Sequence, residues 1–239
     1  MKPGDILVRA DADTNMGTGH LTRCLSLAAG WAAAGGRVTV ATATDNQRLR
    51  ELAQRAGADL VSVTAPHPDP ADLEATTALI ARRPGAWVIL DGYHFDTEYE
   101  RVLRDAGARL MVIDDYASVG HYVADVLLNQ NLGAEEVPYS VEPYTQMLLG
   151  ARYALLASRF EPWRDWRRST PEAARRILVT LGGGDPDNQT LKVIRALKCL
   201  ALFDTEVAVV IGAANPHRET LERELAGLRR FRLLEGVED

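Results

Sequence analysis

One histidine in this chain stands where an open loop turns into a helix. The apolar run Ile6-Leu7-Val8 breaks at Asp11, the string Asp13-Thr-Asn-Met-Gly17-Thr-Gly19-His20 follows, and from His20 on Leu21, Cys24, Leu25, Ala28 and Ala29 recur at helical spacing. An imidazole titrates close to neutral pH, so at a helix start it can take a proton and meet a ligand beside free backbone amides. Gly17 and Gly19 either let the backbone approach that ligand or serve a tight turn with His20 as a polar neighbour of the cap; the string alone allows both. It lacks the third glycine of a dinucleotide fingerprint, and Val38-Thr-Val-Ala-Thr-Ala43 brings no acidic ribose clamp, so a nicotinamide cofactor is not expected.

Four further strings combine polar groups at the ends of apolar runs. Asp91-Gly-Tyr93-His94 and Asp114-Asp115-Tyr116 each offer carboxylate and phenol, suited to acid–base work or to capping the next helix. Asn129-Gln-Asn131 carries amides that read sugar hydroxyls or close a turn. Gly182-Gly183-Gly184-Asp185-Pro-Asp-Asn188 strips side chains from in front of a helix N-terminus, a geometry that suits a diphosphate; without a following Lys-Ser/Thr it is no ATPase loop.

The elements that must position these residues alternate. Apolar runs at Ile6–Val8, Val38–Ala41, Leu60–Val63, Trp87–Leu90, Arg109–Ile113 and Val126–Leu128 are separated by helical patterns at 20–32, 46–56, 71–83 and 99–106, which predicts a doubly wound parallel α/β sheet. The polar, amphipathic stretch 157–172, with Phe160-Glu-Pro-Trp163-Arg-Asp-Trp166, reads as a linker. A second α/β unit then starts with Ile177–Thr180 and adds a helix at 188–202, a strand at 207–211, a helix at 216–226 and a strand at 231–234, and is expected to be partial.

Over 239 residues, 46% apolar and 25% charged usage is that of a globular chain. A net charge of -6 without a basic, aromatic-interleaved stripe excludes a nucleic-acid binder. No leader or long apolar window is present, so neither a membrane partner nor secretion is expected. Cys24 and Cys199, both within apolar helical patterns, are expected as two buried thiols in a reducing, cytoplasmic compartment.

Jointly, Arg9-Ala-Asp-Ala-Asp13, Met16-Gly-Thr-Gly-His-Leu-Thr-Arg23, Asp91-Gly-Tyr93, Ile113-Asp-Asp115, Ala124-Asp-Val-Leu-Leu-Asn-Gln-Asn131, Tyr153-Ala-Leu-Leu156 and Gly182-Gly-Gly-Asp-Pro-Asp-Asn-Gln-Thr190 resemble the UDP-sugar hydrolases of pseudaminic acid biosynthesis, relatives of the MurG-type GT-B glycosyltransferases and of spore coat polysaccharide proteins. The resemblance covers essentially the whole chain. It implies a GT-B-like fold of two Rossmann-like domains facing a cleft, with residues 1–156 the sugar and catalytic domain and 173–239 a partial UDP-binding domain.

It further implies hydrolysis of a UDP-2,4-diacetamido-2,4,6-trideoxyhexose at the anomeric carbon, with no metal or other cofactor and His20 as general base. Asp13, Gly17, Gly19, Arg23, Asp91, Tyr93, Asp115, Asn129, Asn131 and Tyr153 would face the sugar. Gly182, Gly183, Gly184, Asp185 and Asn188 would face the UDP diphosphate. Transfer of the sugar to an acceptor hydroxyl, or nucleotide-sugar binding without catalysis, are the alternatives, and a monomer is the expected state.

Overall fold

The computed structural model describes residues 3–12, 19–182, 184–200, 204–212, 215–235 and 237; of the expected site residues, Asp13, Gly17 and Gly183 lie outside them. The chain divides into two compact units, one running to Asp165 and the other from Trp166 onward.

The first unit holds seven parallel strands: β1 (Asp5–Ala10), β2 (Arg37–Thr42), β3 (Ala58–Ser62), β4 (Trp87–Asp91), β5 (Arg109–Ile113), β6 (Val126–Asn129) and β7 (Gln146–Leu149). They lie in the order β3-β2-β1-β4-β5-β6-β7. Successive side chains of a strand point to opposite faces, so β1 feeds two cores at once. Ile6, Val8 and Ala10 meet Leu21, Cys24, Leu25 and Ala28 of helix α1 (Gly19–Ala33), together with Leu49 and Ala53 of α2 (Gln47–Arg55). Leu7 packs on the other face with Val88, Leu90, Leu79 and Ile80 of α3 (Pro70–Ala81), and Tyr99 and Leu103 of α4 (Thr97–Asp105). Burial on both faces is why the inner strands read as uninterrupted apolar runs.

Asn46, Asp69 and Asp96 cap α2, α3 and α4 by accepting from the amides of Leu49, Ala71 and Tyr99, which sets each helix start to the residue. The periodicity misses β7. It is a four-residue strand on the sheet edge, with Gln146 and Met147 exposed, so it shows neither alternation nor a buried run.

The chain walks outward from β1 through β2 to β3, then returns to place β4 on the other side of β1. The loops that leave β1 and β4 therefore lead to helices on opposite faces, and a crevice opens at the carboxyl ends of these two strands. Ala10 and Asp91 are register partners at that edge.

The second unit has strands β8 (Arg176–Thr180), β9 (Glu206–Ile211) and β10 (Phe231–Glu235), parallel in the order β10-β9-β8, with helices α5 (Gln189–Lys198) and α6 (Arg218–Leu225). Its core is Val179, Ile194, Val207, Val209, Ile211, Leu221 and Leu225. Helix α5 starts later than its spacing suggests because Asn188 takes a left-handed φ of 50°. It also ends earlier, and this corrects the expectation for Cys199. The residue is the C-cap and is exposed, its thiol donating to Arg195 O at 3.3 Å, whereas Cys24 is buried as expected.

Glu100 of α4 is a buried carboxylic acid, 2% exposed, whose Oε2 accepts from Val123 N at 2.6 Å beside a cavity of about 10 Å³ lined also by Asp114, Ser118 and Tyr122. Burial pushes its pKa up to about 7, with the Asp114 and Asp96 carboxylates adding to the effect. A folded-state pKa above the unfolded value means that the associated stability is complete at low pH and is lost as pH rises through about 7. The loss amounts to about 3 kcal/mol at full ionisation. Glu100→Gln keeps an oxygen for Val123 and cannot ionise. Thermal melts are expected to match wild type at pH 5 and to exceed it by several degrees at pH 8.

Candidate active site

The site is assembled around one carboxylate at the end of β4. Asp91 is completely buried, and each of its oxygens has two donors. Oδ1 lies 2.6 Å from His20 Nδ1 and 2.7 Å from Arg23 Nη2; Oδ2 lies 2.6 Å from Arg23 Nε and 3.4 Å from Cys24 Sγ. His20, Arg23 and Cys24 stand at i, i+3 and i+4 on α1, so one face of that helix delivers all three to the neighbouring strand's end. That spacing is the signal that would have joined Cys24 to the site from sequence.

Arg23 carries the arrangement on to the end of β5. Its Nη1 donates to both oxygens of Asp115 at 2.8 and 2.9 Å. Asp115 also accepts from the Tyr93 hydroxyl and from Asn131 Nδ2 at 2.8 Å. The Tyr93 ring meets the His20 imidazole edge-on at 4.6 Å and the Tyr116 ring at 4.8 Å. Side chains from α1 and from the ends of β4, β5 and β6 thus share one continuous polar network.

The electrostatics select a tautomer for His20. Nδ1 has Asp91 Oδ1 at 2.6 Å and Arg23 Nη2 at 3.3 Å. A proton on Nδ1 satisfies the shorter, charge-assisted contact, whereas a bare lone pair there would face the carboxylate directly. The proton therefore sits on Nδ1 and the basic lone pair on Nε2. Burial by itself would raise the Asp91 carboxyl, but Arg23 and His20 hold it below the usual carboxylate range. Asp115 is held low in the same way by Arg23 and Tyr93, against its own desolvation. Burial and the Asp115 carboxylate push the Tyr93 phenol up, so it stays a donor. One guanidinium against two carboxylates leaves a negative charge in excess beside His20.

Some expected site residues take other roles. Arg23 places its Nε, Nη1 and Nη2 on Asp91 or Asp115. Asn129 closes its own turn: Nδ2 donates to Asp115 O and Tyr139 Oη at 2.9 Å each, and Oδ1 accepts from Asn131 N. Tyr153 packs against the core on the α1 face, with Arg152 over its ring, and none of its described contacts reaches the His20 network. Gly19 opens α1, and a Cβ there would meet open space. Asp114 caps the following loop through the amides of Tyr116, Ala117 and Ser118, so of the acidic pair only Asp115 faces the site.

In the second unit, the Asp185 carboxylate accepts from Gln189 N and Thr190 N at 2.8 Å each. It thereby occupies two of the helix amides that sequence reasoning reserved for an anion. Gly182 adopts a left-handed φ of 84°, and Asn188 Oδ1 is buried with no hydrogen-bond partner among the described residues. His217 Nε2 lies 3.0 Å from Pro186 O, tying the loop after β9 to this turn.

No protein-family profile matches the chain. The spore coat polysaccharide biosynthesis protein SpsG of Bacillus subtilis is 23% identical over 141 residues, which are 59% of this chain and 41% of that protein. The chain spans less than half the length of the curated relatives it matches. Among solved structures, Acinetobacter baumannii MurG superposes with a TM-score of 0.54 at 13% identity, covering 99% of this chain and 69% of that one. Anabaena Alr3699/HepE in complex with UDP-glucose gives 0.57 at 12% identity, covering 97% and 68%. The fold is therefore α/β of the GT-B glycosyltransferase type, built from Rossmann-like parallel-sheet units.

Removing the guanidinium would strand two carboxylates. Arg23→Met is expected to destabilise the protein by about 3–5 kcal/mol, read as a fall in Tm on the order of 10 °C. Adding Asp115→Asn to that variant should recover part of the loss, measurable in a double-mutant cycle.

Proposed function

We propose that the chain acts on a nucleotide sugar, hydrolysing the bond between the anomeric carbon and the diphosphate of a UDP-2,4-diacetamido-2,4,6-trideoxyhexose. The observation that carries this reading is the 2.6 Å pairing of His20 Nδ1 with the buried Asp91 carboxylate at the switch point of the sheet. It makes Nε2 the basic nitrogen of an oriented imidazole. Support comes from the GT-B-type fold and from the similarity to a polysaccharide biosynthesis protein.

In this mechanism a water loses its proton to His20 Nε2 as its oxygen bonds to the anomeric carbon. The carbon–oxygen bond to the diphosphate breaks, and the electron pair leaves with UDP. The imidazolium so formed is stabilised by Asp91 and by the extra negative charge of the Asp91–Arg23–Asp115 group. Tyr93 and Asn131, held by Asp115, are the groups on the rim of this network with exposed surface to meet a sugar. In the second unit, taken by itself, the turn at Gly182, Gly184 and Asn188 is the candidate for binding the diphosphate, with Asp185 holding its shape.

A sugar acceptor hydroxyl in place of water would make the same base a transferase base, a reading that the likeness to MurG favours. Product analysis separates the two: free sugar released at the same rate with and without acceptor supports hydrolysis, and acceptor-dependent turnover overturns it. His20→Gln is expected to lower kcat by about 10²–10⁴-fold with UDP-sugar binding within a few-fold of wild type. Unchanged turnover in the variant would rule out His20 as the base.

A further inference from the structure

A second set of side chains in the first unit repeats the composition of the first. In the site above the order is His20, Asp91, Arg23, Asp115, Tyr93. In the second it is His94, Asp11, Arg9, Asp72, Tyr99. His94 Nε2 lies 3.1 Å from Asp11 Oδ2, and Arg9 donates to the two Asp11 oxygens through Nη1 and Nη2 at 2.7 Å each. Arg9 also pairs with Asp72 through Nε at 3.1 Å and through Nη2, and the Tyr99 hydroxyl donates to Asp72. Arg9, Asp11, Asp72 and Tyr99 are each at most 2% exposed.

Burying one guanidinium with two carboxylates is expensive, and apolar residues of the same volume are commonly at least as stabilising, so stability alone does not account for this set. What it holds is the His94 ring. A Cβ placed on Gly92 would lie 2.6 Å from His94 Cε1 and 2.9 Å from Nδ1, so the ring rests against the backbone of the turn that carries Asp91 and Tyr93. His94 Nδ1 is buried and has no hydrogen-bond partner among the described residues. With Nε2–H on Asp11, that nitrogen is a bare lone pair. A proton added to it would be a buried N–H against the Gly92 backbone with nothing to receive it.

We propose that His94 is a positioning residue for His20: gripped by Asp11, its ring seats the Gly92 turn, and through that turn the Asp91 carboxylate that orients the catalytic imidazole. The kinetic consequence rests on His20 being the base; the structural consequence does not. The charged groups facing His94 are Asp11 beyond β1, Arg9 within β1 and, behind Arg9, Asp72 of α3; from the β2 side Ala43 N and Thr42 Oγ1 give Asp11 uncharged donors at 2.7 and 3.2 Å. Loss of the ring or of its grip on Asp11 frees the turn, so the His20 pairing with Asp91 responds to what stands at position 94.

The test uses the full chain with ¹⁵N-labelled histidine, of which there are five. The His20 Nδ1–H resonance, shifted downfield by its carboxylate partner, should keep its position in His94→Gln, whose side-chain amide can still donate to Asp11, and move upfield or broaden in His94→Ala, which removes ring and donor together. His94→Phe, which keeps a ring against Gly92 and Phe95 without the donor, should fall between them and serves if the alanine variant does not fold. In kinetics, His94→Ala should lower kcat by about tenfold with KM within a few-fold of wild type, and His94→Gln should restore most of it. A resonance unmoved in both His94→Ala and His94→Phe, or a kcat in His94→Ala equal to wild type, overturns the proposal. If wild type turns over no UDP-sugar, the hydrolase reading falls while the resonance still decides the role of His94.

Discussion

A carboxylate with no access to water, on the last residue of a central strand, is the constraint around which the first unit is arranged. Asp91 must be met by donors on every side, and it is: His20, Arg23 and Cys24 come down from α1, one turn of helix supplying all of them. Stranding such a charge is costly, so the pairing fixes the rotation of α1 about its axis and the height of its first turn over the sheet. The orientation of the histidine is thus a by-product of satisfying the aspartate.

The same accounting of charge explains why Arg23 and Arg9 each touch two carboxylates. A one-to-one pair would be neutral and would do nothing for an adjacent imidazole. With two acids to one guanidinium, each group keeps a negative charge, and a histidine stands next to each with a ring nitrogen on one of the carboxylates. Their exposure separates the two sets. Tyr93 is 39% exposed at the rim of one, whereas Arg9 and Asp72 in the other have no exposed surface. The first set opens to solvent through its phenol, whereas in the second the histidine is the open member, its side chain 18% exposed against 7% for His20.

Much of this was legible in the residue order. The alternation of apolar runs with helical patterns predicted six of the seven strands of the first sheet, the inner ones because strands buried on both faces must be continuously apolar. The edge strand Gln146–Leu149 was not legible, since half of it faces solvent and carries no period. His20, Asp91, Tyr93, Asp115 and Asn131 were recognisable as candidates because polar residues at strand ends are the ones that a doubly wound sheet exposes to ligands. Asn129, Asp114 and Asp185 drew attention for the same reason, yet each spends its polar atoms on its own loop.

By itself, the sequence determined the class of fold, the strand ends at which polar groups would gather, and a helix whose first turn carries an imidazole; these follow from local periodicity and from the positions of glycine and acidic residues. Only the tertiary structure decided which acid belongs to which base. Asp91 is 71 residues from His20 and Asp11 is 83 residues from His94. Both pairings exist because the chain reverses its direction across the sheet between β1 and β4, bringing the two strand ends side by side. No local pattern encodes that reversal; it arises from packing helices on both faces of one sheet.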